Sequence, residues 1–211
     1  MTENLLREQI AELGKSLYDR GLAHGSAGNL SVRLADGNFL LTPTNSCLGR
    51  LDPAKISKLD GAGQLVNGDP PSKESFLHLA MYQQRPQSDA VVHLHSLHAV
   101  AVSCLAHINP TDVFPPITAY AIMQVGKLAL VPYYPPGDAS LADAVRKLAG
   151  KHHAVLLANH GPVVAGTSLN AAVNAIEELE QTAHLMLLLQ DRPTRLLTAE
   201  QVAELNRRFP S

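Results

Sequence analysis

The stretch Ala90-Val91-Val92-His93-Leu94-His95-Ser96-Leu97-His98-Ala99-Val100-Ala101-Val102 sets the frame for the whole chain. Residues 90–95 form a short apolar run with β-branched side chains, which predicts a buried strand. From Ser96 the spacing changes to that of a helix, predicted over residues 96–105. A strand running straight into a helix is the unit of layered α/β domains. Residues two apart on a strand face the same way, so His93 and His95 project into one volume.

Outward from that stretch the alternation recurs. Short runs rich in Val and Leu predict further strands at residues 30–34, 38–42, 127–132, 154–158 and 162–166. Helical periodicity predicts residues 3–20, 73–84, 140–148, 170–190 and 199–208. Two helix starts carry a capping-box pattern, Ser140 with Asp143 and Thr198 with Gln201. Turn-forming residues cluster at 25–28, 61–63 and Pro136-Gly137. No repeat or linker divides the chain, so residues 1–211 are read as one α/β domain. The pattern leaves open whether its sheet is parallel or mixed.

Composition narrows the function. With 45% apolar and 17% charged residues over 211 positions, the chain can bury a substantial core. A formal net charge of -2 and scattered basic residues give no attraction to nucleic acid or anionic membrane. Residues 90–108 are the most apolar stretch, but four histidines there exclude a membrane span. Residues 1–21 lack the apolar core of a secretory signal and read as an amphipathic helix through Leu6, Ile10, Leu13 and Leu17, which makes the cytoplasm the expected compartment. Cys47 and Cys104 form no disulfide framework and are read as small core residues.

The histidines suggest a metal. Imidazole is the usual nitrogen ligand for zinc, and catalytic zinc typically has three protein ligands and an open fourth position. Asn159-His160-Gly161-Pro162 follows an apolar run and offers a third His at a second strand end. From spacing alone a metal centre and three structural histidines remain equally open. His24 and His78 are read as hydrogen-bonded structural residues able to line the same site. His98 falls a turn past His95 near a helix start, and His107, His152, His153 and His184 read as surface or packing residues.

Three turns have the small or hydroxylated residues of an anion site. Pro70-Pro71-Ser72-Lys73-Glu74 leads into a helix whose N-terminal N–H groups suit a phosphate, with Ser72 as donor and Lys73 as point charge. Gly25-Ser26-Ala27-Gly28-Asn29 and Thr42-Pro43-Thr44-Asn45-Ser46 are similar, though each alone is ordinary turn chemistry. Glu74 has two readings: a dipole-complementing acid in a first helical turn, or, beside a metal, a general acid/base and ligand.

The stretches GSAGNLS (25–31), LTPT (41–44), PSKE (71–74), VHLH (92–95) and NHG (159–161), in this order, resemble the class II aldolase/adducin family over nearly the whole chain. The resemblance implies a central mixed β-sheet flanked by helices and a homotetramer with interfacial active sites. It implies one zinc per subunit, with Mn²⁺ or Co²⁺ as substitutes, on His93, His95 and His160. Glu74 becomes the acid/base and a ligand when substrate is absent, and Tyr120 a catalytic tyrosine reaching across a subunit interface. Phosphate contacts fall to Asn29, Thr44, Asn45, Ser72 and Lys73, and Tyr133 and Tyr134 to packing.

PSKE, HLHSLHAVAVSCL (93–105), PITAYAIMQVG (116–126), VPYYPPGD (131–138) and LLANHGPVVAG (156–166) are most similar to a subgroup that decarboxylates 3-oxo-tetronate 4-phosphates. Lys73 departs from the small hydroxyl residue of the family's sugar-phosphate aldolases and suits a phosphorylated sugar-acid substrate. The implied reaction yields dihydroxyacetone phosphate and CO2 through a zinc-stabilised enediolate in sugar-acid catabolism. The alternatives are a ketose 1-phosphate aldolase, which reaches the same enediolate, and a pentulose-phosphate 4-epimerase, whose Asp acid/base groups Glu74 does not match. An adducin-type scaffold is the non-enzyme alternative.

Overall fold

In a computed structural model describing residues 1–135 and 137–209, eight strands form one sheet in the order β4-β3-β2-β1-β5-β8-β7-β6. These are β1 (Asn29–Arg33), β2 (Phe39–Leu41), β3 (Ser57–Leu59), β4 (Leu65–Asn67), β5 (Ala90–His93), β6 (Ala129–Val131), β7 (Ala154–Leu157) and β8 (Gly161–Gly166). Every neighbouring pair is antiparallel except β6 with β7, so the sheet is mixed. Six helices flank it: α1 (Glu3–Asp19), α2 (Ser75–Gln84), α3 (Leu97–Ser103), α4 (Ser140–Ala149), α5 (Leu169–Leu188) and α6 (Ala199–Arg208). Pro136 of the expected Pro136-Gly137 turn lies outside the described residues.

The strand period sorts the core into two layers. Ala90 and Val92 of β5 pack with Ile10 and Leu17 of α1, Val102 of α3 and Ile176 of α5. Val91, one residue between them, packs on the other face with Leu77 and Met81 of α2 and Val145 of α4. His93 has the parity of Val91 and so emerges on the α2 side. Ser31 and Asn29 of β1 pair with Val91 and His93, which puts them on that side too.

All six expected helices appear near their positions among the described residues, with two instructive differences. The second begins at Ser75, not Lys73, and Glu74 occupies its cap position without capping it. The expected Ser140/Asp143 box does not form: Ala139 sits at the cap, Asp138 accepts from the Ser140 N–H at 2.8 Å, and Asp143 pairs with Arg146. Asp138, two residues before Ser140, reaches that N–H first. Thr198 and Gln201 do form their box. Strands β3 and β4 were not expected from the sequence. Arg7, buried on α1, ties this edge down by donating to the Ile56 carbonyl at 2.6 Å and to Asn67 at 3.0 Å. Cys104 is exposed and Cys47 half-buried, so neither is a core residue. No described helix is long and apolar enough to cross a membrane.

Candidate metal centre and active site

Three elements converge to bring the histidines together. His93 ends β5, and His95 follows on the chain leading to α3. His160 sits between β7 and β8, and β8 lies directly beside β5, with His93 opposite Val163. The turn that presents His160 is tight. Asn159 takes a left-handed φ of 56°, tolerated by its short polar side chain. A Cβ on Gly161 would come within 2.3 Å of the Leu94 carbonyl oxygen, so only glycine lets this turn press against the end of β5.

The result is a compact donor cluster. His93 Nε2 lies 3.1 Å from His95 Nε2, which lies 3.0 Å from His160 Nε2. Glu74 places Oε1 3.0 Å from His160 Nε2 and Oε2 3.4 Å from His93 Nε2. Donors bonded to a tetrahedral ion at about 2.0–2.1 Å sit roughly 3.3 Å apart, so the spacing fits a divalent ion. The tautomers agree. His93 Nδ1 faces the Pro162 carbonyl at 2.8 Å. A carbonyl only accepts, so Nδ1 carries a proton and Nε2 is the ring atom turned into the cluster, a lone pair for an ion whenever it is bare. Only a cation in that space, a proton on the ring or a metal ion, makes these contacts attractive.

The electrostatics point the same way. Burial pushes the His95 imidazole down to about 3, with His93 and His160 adding to the effect, so His95 is neutral and ready to ligate near pH 7. Burial alone would raise the Glu74 carboxyl, but attraction to His93 and hydrogen bonds from His160, His93 and Asn29 hold it far below the usual carboxylate range. Glu74 is thus ionised. Its carboxylate turns to the histidines and makes no cap bond to its own helix.

Two cavities meet at this cluster, and Glu74 and His95 line both. One of about 470 Å³ gathers Asn29, Thr44, Asn45, Ser72 and Lys73 around the residue 26–28 turn. All five residues expected to bind phosphate therefore border a single cleft. The other, of about 840 Å³, opens past His24, Leu97, Tyr133, Tyr134 and Asn159. Tyr133 is 60% exposed, so it lines this cavity instead of packing, whereas Tyr134 both lines it and packs against the α2–α4 layer. Alternation carries no signal for such side chains, because residues 132–135 form no regular element. Tyr120, 63% exposed before a π-helical turn (Ala121–Val125), is not among the described residues lining either cavity.

Among the remaining histidines, His78 is buried between Ser31 and Asn29, and burial holds its imidazole at about 3, hence neutral. His98 stands at the start of α3, stacked on His184 at 4.0 Å.

The family model of the Class II Aldolase and Adducin N-terminal domain matches residues 8–187. The 3-oxo-tetronate 4-phosphate decarboxylase of Escherichia coli K12 is 52% identical over 203 residues, 96% of either chain. L-fuculose phosphate aldolase of the same strain is 34% identical over 213 residues, 99% of this chain and 96% of that one. The crystal structure of YgbL from Escherichia coli matches with a TM-score of 0.95 at 51% identity, over 96% of this chain and 98% of that one.

Proposed function

The chain belongs to the class II aldolase and adducin family, and on that footing we propose that it is a metal-dependent lyase decarboxylating a 3-oxo-tetronate 4-phosphate to dihydroxyacetone phosphate and CO2. The observation that carries this reading is a complete four-donor cluster in a chain 52% identical to a decarboxylase of that substrate. A catalytically silent scaffold has no need of such a cluster.

His93, His95 and His160 would hold the ion, with Glu74 as fourth donor until substrate arrives. Bound there, a divalent ion, zinc by the preference of imidazole donors, supplies a Lewis acid that draws electron density from the substrate's oxygens. The chain's own residues do the rest. Ser72, Thr44, Asn45 and Lys73 bind the phosphate in the smaller cleft, and Lys73 adds the charge that an acid substrate with its extra anionic group requires. Asn29 borders that cleft while its side-chain amide is held by Glu74, Ser72 and His78. From that anchor the carbon skeleton extends toward Glu74 and His95, where the cavities meet. Loss of CO2 leaves the C1–C2 electron pair on C2 as an enediolate, and C2 must then gain one proton. Glu74 belongs to the cluster and also lines the larger cavity, so its carboxylate can take a proton from water and deliver it to C2. In this reading the protein is a homotetramer of sugar-acid breakdown, and Tyr120 serves the site of a neighbouring copy.

A coupled assay for dihydroxyacetone phosphate, with CO2 counted in parallel, tests the reading. Equimolar products from a 3-oxo-tetronate 4-phosphate, lost on chelation and restored by Zn²⁺, are expected. Aldehyde from a ketose 1-phosphate with no CO2 from the oxo acid would turn the assignment to an aldolase. Full turnover after chelation would remove the metal from it.

A further inference from the structure

Glu74, His78 and Tyr82 recur every four residues along the α2 segment, and they face Asn29 and Ser31, which share one side of β1. An unbroken line of side-chain hydrogen bonds fills this seam. Tyr82 Oη meets Ser31 Oγ at 2.8 Å, and Ser31 Oγ meets His78 Nδ1 at 2.7 Å. His78 Nε2 meets Asn29 Oδ1 at 2.5 Å, and Asn29 Nδ2 meets Glu74 Oε2 at 2.8 Å. All four residues behind Glu74 are buried.

Each bond fixes the direction of the next. Asn29 donates an amide N–H to Glu74 Oε2, which leaves its carbonyl facing His78. That carbonyl needs a donor, so His78 carries its proton on Nε2. Nδ1 is then bare and accepts from the Ser31 hydroxyl, whose oxygen accepts in turn from Tyr82. A reversed Asn29 amide would set its oxygen against the carboxylate oxygen of Glu74. The remaining N–H of Asn29 is taken by Ser72 Oγ at 3.2 Å, so this side chain is committed inside the protein on every polar atom.

We infer that His78, braced by Ser31 and Tyr82, is a positioning residue: it locks the Asn29 amide and through it the orientation of the Glu74 carboxylate. The inference rests on Glu74 as proton carrier. It adds a tautomer-defined relay reaching from the site into the core.

Two substitutions at His78 separate positioning from mere packing. Gln reaches with its amide N–H to where Nε2 stood, whereas Asn is a carbon shorter and replaces only Nδ1. His78→Asn should lower kcat about tenfold or more, with KM and bound metal unchanged, and His78→Gln should recover most of that loss. In the substrate-free wild-type enzyme, ¹⁵N spectra of labelled histidine should show His78 protonated at Nε2 alone. A proton on Nδ1, equal kcat losses in both variants, or a kcat loss matched by lost metal would overturn the inference. The tautomer is read without substrate, so it stands apart from whether the wild-type enzyme turns over the proposed oxo acid.

Discussion

Glu74 is contested by four groups: the Nε2 atoms of His93 and His160, the Asn29 amide, and the helix start that it would ordinarily cap. The cluster wins because ionic contacts in a half-buried site outweigh a weak dipole interaction. Replacing Glu74 with Gln keeps the shape and removes the titrating oxygen. Turnover should fall about 10²–10⁴-fold while three histidines keep the metal, which product assay and metal analysis can check together. His78 gives a pH signature. Its folded-state value near 3 lies below the ordinary 6.5, so the unfolded chain binds more protons across that window. His78 thus contributes stability above about pH 6.5 that is lost progressively as pH falls toward 3. Thermal melts of the metal-free protein should show a declining Tm over that window, with a shallower slope in His78→Gln.

At the scale of elements, α3 depends on a carboxylate from another helix. Glu180 of α5 accepts from the His98 N–H at 2.9 Å, the Ala99 N–H at 2.8 Å and the His98 ring at 2.8 Å. It satisfies the open donors of a helix beginning two residues after a cluster ligand. Glu180→Ala leaves three donors without their acceptor and should cost about 1–3 kcal/mol, read as lowered Tm, with a smaller loss for Glu180→Gln. The Asn159-His160-Gly161 turn offers a second test. Gly161→Ala must push the turn from Leu94, and metal affinity should drop about 10–100-fold by titration calorimetry.

These two examples also mark what a sequence can and cannot convey. His93 at a strand end, His95 two residues beyond it and a third His at a turn were legible because extended-chain parity and turn chemistry are local. Strands β3 and β4 were not, because Ser57-Lys58-Leu59 carries a single apolar residue and β4 is an exposed edge. Glu180 reads as one more acidic residue on an amphipathic helix, and its task appears only once α5 lies against α3. The seam of His78, Ser31 and Tyr82 left a trace, four-residue spacing opposite two-residue spacing, but its meaning requires knowing that α2 covers β1. Tyr133 and Cys104 were misjudged because exposure in irregular segments follows from tertiary packing alone.

For the whole molecule, two strongly exposed apolar side chains, Leu97 at 71% and Tyr133 at 60%, line the larger cavity. A neighbouring copy carrying Tyr120 would cover such a mouth. Mixing Tyr120→Phe chains with Glu74→Gln chains tests that arrangement. If the tyrosine works across an interface, random reassembly should regenerate intact sites at about a quarter of positions, and activity should reappear from two inactive parents. A tyrosine acting within its own chain would give no recovery.

The pairing of β5 with β8 joins residues some seventy positions apart, His93 with Val163 among them. Closing so long a loop is entropically slow, so this ladder should zip late, after the local hairpins are in place. No ligand pocket can exist before it does. Ion capture is therefore a timer as much as a cofactor event: its onset during refolding marks the last long-range closure, and its release during unfolding should be among the first signals that the sheet has split at its centre.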